Sequence, residues 1–198
     1  MKIGTIGAGR IAQAFIKHVA KAGFEVVVSN RTGPESLTEL TQSFGSTVTA
    51  GTVEQAAQAD LVLLTVPWTE VEDVLRRIPS WRGQIILDTT NAASFPDFQP
   101  LDLGGKTSTQ LVAERAPGAR VVKAFNTLFA ATLAADPAEG NGKRVVFISG
   151  DDATAKTEVL HLLGTLGFAG IDLGDLVTGA ALQQVGGPLI GKNLLQLA

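Results

Sequence analysis

The segment Gly7-Ala8-Gly9-Arg10-Ile11-Ala12 narrows the folds open to this chain more than any other feature, because of what stands on either side of it. Lys2 to Ile6, ahead of it, is a short apolar run of strand character, and Arg10 to Ala22 carries helical periodicity. A strand, a glycine turn and a helix in that order satisfy the G-x-G-x-x-G/A spacing. Gly7 permits the tight turn, Gly9 lets a pyrophosphate approach the backbone, and Ala12 keeps the helix close to the strand. The free N–H groups and dipole of the helix N-terminus then face a diphosphate. Small residues packed in a βα turn would give the same letters. The position directly behind a first strand and ahead of a second one favours dinucleotide binding.

The rest of the chain repeats the alternation. Strands are expected at Glu25 to Ser29, Thr47 to Thr49, Leu61 to Val66, Gln84 to Asp88 and Arg120 to Ala124. Helices are expected at Pro34 to Ser43, Val53 to Gln58, Glu70 to Arg77 and Ser108 to Ala116. Such a series predicts an α/β, Rossmann-type, doubly wound and mostly parallel sheet over residues 1–125. Residues 126–198 are expected to form a short C-terminal α/β extension packed on the same sheet: a strand at Val145 to Ser149, a helix at Asp152 to Leu166, a strand at Gly170 to Leu173 and an apolar helix from about Asp175. Leu189, Ile190, Leu194, Leu195 and Leu197 would form the apolar face of that last helix, either against its own sheet or in a homodimer contact.

The end of the second strand sets the cofactor preference. NAD sites place an acid there to accept from the ribose 2′-OH, about 20 residues beyond the glycines. This chain has Val28-Ser29-Asn30-Arg31-Thr32. Arg31 can pair with a 2′-phosphate, and Ser29, Asn30 and Thr32 can donate hydrogen bonds, so NADP(H) is expected over NAD(H). Arg31 and Asn30 would also suit a plain surface turn before Gly33-Pro34.

Ligands of open parallel sheets lie at the carboxyl ends of the strands. Those ends place Val66, Pro67 and Trp68 beside the cleft, with Trp68 either facing the cofactor or capping the next helix. Asn91 and Ala92 follow the fifth strand and Asn126 the sixth, at the nicotinamide end. Lys123 is expected to be solvated or paired with Asp88. Gly104-Gly105-Lys106-Thr107 lacks the leading glycine of a phosphate-binding P-loop, since position 100 is Pro, and Thr107 or Ser108 reads as a helix cap.

Composition removes several chemistries. With no Cys and only His18 and His161 as imidazoles, no metal is expected. A net charge of −3 without a basic cluster gives nucleic acid no face to bind. No window reaches the length of a membrane span, so a cytoplasmic protein without a membrane partner is expected. The chain has no Tyr, and both His residues fall on helices away from the cleft, so no catalytic acid is evident. A site of that kind suits hydride transfer to a small-molecule acceptor that manages its own protons, such as a flavin or deazaflavin. Reduction of a small imine or keto compound, with Lys123 or water as proton source, and an NADPH-binding redox sensor are the alternatives.

Taken in order, Gly7 to Ala12, Ser29-Asn30-Arg31, Val66-Pro67-Trp68, Lys123-Ala124-Phe125-Asn126-Thr127 and Ser149-Gly150-Asp151-Asp152 resemble one family. It is that of the NADPH-dependent oxidoreductases related to the coenzyme F420-dependent NADP oxidoreductase, with similarity also to the cytosolic domain of the STEAP ferric reductases. The resemblance implies a Rossmann domain, often dimeric, that moves a hydride between the nicotinamide and coenzyme F420 or a flavin stacked across the cleft. It implies that Ser29 and Arg31 hold the 2′-phosphate and that Pro67, Trp68, Asn91 and Asn126 flank the nicotinamide. Thr89-Thr90-Asn91-Ala92 stands where the deazaflavin enzymes carry an apolar, proline-containing turn, which leaves the acceptor open.

Overall fold

In the computed structural model, which describes residues 1–94 and 96–197, strands and helices alternate along the chain. In order they are β1 (Lys2–Ile6), α1 (Arg10–Lys21), β2 (Glu25–Ser29), α2 (Thr38–Ser43), β3 (Val48–Ala50), α3 (Val53–Ala57), β4 (Leu61–Leu64), α4 (Trp68–Arg77), β5 (Ile85–Asp88), α5 (Ser108–Arg115) and β6 (Arg120–Ala124). There follow α6 (Ala130–Ala134), β7 (Ala138–Glu139), β8 (Gly142–Gly150), α7 (Ala153–Thr165), β9 (Ala169–Asp172), α8 (Thr178–Gln183) and β10 (Leu195–Leu197).

The first six strands run parallel in the order β3-β2-β1-β4-β5-β6, with the direction of winding reversing between β1 and β4. β4 reads Leu-Val-Leu-Leu and is fully buried, as a central strand covered on both faces must be. Ala12, Phe15, Ile16 and Val19 put the buried stripe of α1 on one face of the sheet, while Val71 and Leu75 of α4 join the cluster on the other. Residues beyond 125 extend the sheet: β8 pairs antiparallel with β6, and β9 pairs parallel with β8.

Several expectations are corrected. β3 begins one residue later than expected, and β4 stops at Leu64 instead of Val66. α4 starts at Trp68, two residues before Glu70, because Pro67 stands at its N-cap with φ −53°, which already suits the helix. Residues 34–37 form a 3-10 turn ahead of α2. The largest correction concerns the tail. α8 ends at Gln183, the chain turns at Gly186 and Gly191 with positive φ, and Leu195–Leu197 pair antiparallel with residues 142–144 of β8. Leu195 and Leu197 therefore sit on an edge strand and not on a helical stripe. The apolar spacing resembled a helix, but glycines in the left-handed region interrupt helical hydrogen bonding and free the segment to meet β8.

Candidate functional site

The glycine turn follows from backbone sterics. Gly7 has φ +109°, donates its N–H to the Ser29 carbonyl at 3.0 Å, and an added Cβ would lie 2.3 Å from the Thr65 carbonyl oxygen. Gly9 is different: its φ is −73° and an added Cβ would meet nothing within 4 Å. Among the described residues no side chain caps α1, and its first turn holds no acid, so the N–H groups at its start are left without a side-chain partner.

A cavity of about 460 Å³ runs from this turn across the ends of β1, β2 and β4. It is lined by the loop Asn30 to Pro34, by Thr52 to Glu54, and by Glu70, Val74 and Arg77 of α4. Arg31 is 79% exposed and reaches across to Glu70, its Nη1 donating to Oε1 at 3.1 Å. The Glu54 carboxyl is held below the usual carboxylate range by hydrogen bonds from its own N–H and the Thr52 hydroxyl, with the charge of Arg77 adding to them. The trough thus has apolar flanks and a rim that carries both signs of charge.

The polar residues of the second-strand end divide between surface and interior. Asn30 locks its own loop: Oδ1 accepts from the N–H groups of Thr32 and Gly33, and Nδ2 donates to Ser36 Oγ. Ser29 is fully buried and its hydroxyl donates to the Thr5 carbonyl at 2.7 Å, so the structure does not bring that hydroxyl to the trough. Gly7, Ala8, Gly9, Asn30, Arg31, Val66 and Pro67 do line it. Arg10 borders a separate groove between α1 and α6, and Ile11 packs on the core. Trp68, the first residue of α4, packs against the cluster beneath that helix.

At the ends of β5 and β6 the two asparagines interlock. Asn91 Nδ2 donates to the Asn126 carbonyl and Asn126 Nδ2 donates to Asn91 Oδ1, both at 3.0 Å. Asn126 Nδ2 also reaches the Gln183 carbonyl of α8 at 2.6 Å, which ties the extension to this mouth. Phe125 holds φ +61°, a left-handed conformation rare for a bulky residue, directly before Asn126. Ala92 is buried and its carbonyl accepts from Leu101 N–H. Beneath the mouth, Lys123 and Asp88 are completely buried and paired at 3.2 Å. The other two bonds of Lys123 Nζ go to the Thr90 carbonyl and Ser108 Oγ, while Thr90 and Thr109 donate to Asp88. Lys123 is therefore the paired and not the solvated residue, with all three of its protons engaged. Thr107 is the cap of α5, in a reciprocal box with Gln110.

Sequence reasoning missed Glu70, Val74 and Arg77 as lining residues. Their spacing of four and three does place them on one helix face, but which face meets the trough depends on how α4 packs.

Residues 2–92 match the family described as NADP oxidoreductase, coenzyme F420-dependent. The crystal structure of the hypothetical protein SMa0349 from Sinorhizobium meliloti is 46% identical, with a TM-score of 0.94 over 99% of this chain and 96% of that one. A candidate F420-dependent NADP reductase from Arthrobacter sp. FB24 is 27% identical, with a TM-score of 0.79 over 92% and 89% of the two chains. The matched segment, just under half of the chain, is similar to the F420-dependent NADP oxidoreductase family. Metalloreductase STEAP3 of Rattus norvegicus is 28% identical over 185 residues, 93% of this chain and 36% of that protein. The chain spans between about a third and a half of the length of the curated relatives it matches. Family members are NADP oxidoreductases, and the glycine turn and the trough of this chain lie within the matched residues 2–92. Among the described residues no helix is long and apolar enough to cross a membrane.

Proposed function

We infer that the protein is an NADP-dependent oxidoreductase that passes a hydride between NADP(H) and a flavin, a deazaflavin such as coenzyme F420, or a flavin-like carrier. The observation that carries the reading is the exposed Arg31 at the end of β2, on the wall of a trough that starts at the glycine turn. The residues fit a dinucleotide: the open space over Gly9 accommodates a pyrophosphate, and the uncapped start of α1 supplies N–H donors. Arg31 would take the 2′-phosphate, and Val53, Val66 and Val74 supply apolar surface for the adenine. The bound nicotinamide supplies the hydride chemistry. Asn91 and Asn126, already locked to each other, would border it without moving.

The choice of acceptor rests on what the chain does not offer. Lys123 is sealed beneath the mouth with every proton engaged, so reduction of an imine or keto compound with that lysine as acid loses its donor. A ring acceptor that takes up its own proton asks only for position and polarity. The test is anaerobic mixing of the purified protein with NADPH and coenzyme F420, repeated with FMN, with NADH and with Arg31→Ala. The reading expects acceptor reduction that is faster with NADPH than with NADH, and at least a tenfold loss of kcat/KM for NADPH in Arg31→Ala. Tight NADPH binding with no turnover on any ring acceptor would leave the redox-sensor reading in its place.

A further inference from the structure

We propose that Glu70 is a specificity-determining residue that competes with the cofactor 2′-phosphate for Arg31, and so sets how tightly the trough takes NADPH relative to NADH. The proposal rests on the NADP reading above. Arg31 and Glu70 come from different elements, both line one cavity, and meet at 3.1 Å. Neither element yields easily. The Arg31 loop is pinned by the Asn30 side chain, which accepts from Thr32 and Gly33. Glu70 is the third residue of α4, where the positive end of the helix dipole favours its charge, and its N–H donates to the Pro67 carbonyl. Arg31 can leave Glu70 through its own side-chain torsions while both backbones stay in place.

A 2′-phosphate brings close to two negative charges to that guanidinium. Glu70 then loses its partner and faces the phosphate, so each of its roles, partner and neighbour, opposes binding. Arg77 lies two turns further along α4 and lines the same cavity. NADH carries only neutral ribose hydroxyls at this place and leaves the pair intact. Because the pair is exposed to solvent its weight is modest, which limits the effect to a tuning of affinity.

The experiment titrates NADPH and NADH by cofactor fluorescence into wild type, Glu70→Gln, Arg31→Ala and the double variant, at low and at high salt. Glutamine keeps the size and the acceptor oxygen but removes the charge. Glu70→Gln is expected to bind NADPH about three- to tenfold more tightly and NADH within about twofold of wild type, with the gain shrinking as salt rises. In the Arg31→Ala background the same change is expected to give a clearly smaller gain, because only the repulsion between Glu70 and the phosphate is then relieved. Unchanged or weaker NADPH binding in Glu70→Gln, at an unaltered melting temperature, overturns the proposal. An equal gain with and without Arg31 also overturns it, since Glu70 would then act by repulsion alone. A wild-type protein that binds no NADPH removes the NADP reading itself, a failure distinct from both.

Discussion

Gly7 and Gly9 sit two residues apart, yet they answer to different demands. Gly7 needs its left-handed backbone and the close approach of Thr65, so Gly7→Ala is expected to cost about 1–3 kcal/mol of folding stability, seen as a lower denaturant midpoint. Gly9 has ordinary torsions and space above it. Gly9→Ala is expected to fold at the wild-type midpoint and to lose NADPH affinity at least tenfold, because its methyl stands where the pyrophosphate must pass. Unchanged NADPH affinity in Gly9→Ala would mean that the space over Gly9 has no such use. At this scale the sequence was informative wherever the backbone dictates the residue: the two glycines and Arg31 are where the spacing put them. Ser29 was harder, since a hydroxyl at a strand end faces inward or outward according to the pleat, and here the Thr5 carbonyl claims it. Glu70 could not be seen at all, because its meeting with Arg31 spans 39 positions of chain.

Helix α1 is tied to the short helix α6 through His18, which is buried, donates from Nε2 to the Leu133 carbonyl at 2.7 Å, and stands edge-on to Phe168. Burial holds its pKa below the usual imidazole value of about 6.5, and the charges of Lys17 and Lys21 push the same way, against the Leu133 bond and Asp136. The unfolded chain therefore binds more protons than the folded one, and stability rises with pH across this window. The contribution is complete above the unfolded value and is lost as pH falls from about 6.5 towards the lower folded value. Melting temperatures recorded between about pH 7.5 and 5 should fall by a few degrees, and His18→Gln, which keeps a neutral donor at every pH, should flatten that slope. An unchanged slope would show that other groups carry it. Elements of this length mark the limit of what periodicity reveals. α1 has a full buried stripe, α4 buries Val71 and Leu75 one turn apart, and both were legible. α6 and β7, with five and two residues, were not, and the tail was misread because leucines on an edge strand repeat much as they would on a helix.

The molecule as a whole should respond to its cofactor as one cooperative unit, since the trough draws on the ends of three strands of a continuous sheet. At NADPH concentrations near 100 Kd, linkage adds about 2.7 kcal/mol, which for a chain of this size corresponds to a rise in Tm of about 5–10 °C. NADH at the same concentration should raise it less, and Arg31→Ala should close the gap between the two; equal shifts in the wild type would speak against a 2′-phosphate site. The mostly parallel sheet was foreseeable from the βα alternation, whereas the antiparallel entry of β8 was not, because pairing direction leaves no mark in composition. Phe125 adds something about how such a chain can be altered. Its ring meets Phe15 of α1 edge-on at 5.3 Å and Phe168 of the extension at 6.4 Å, and all three belong to one core. A chimera that joins the first 125 residues of this chain to the tail of a relative would splice through the middle of that aromatic joint. Recombination that respects the joint has to carry residue 168 along with residue 125, so the unit that can be exchanged between relatives is larger than the nucleotide-binding half and is the whole sheet.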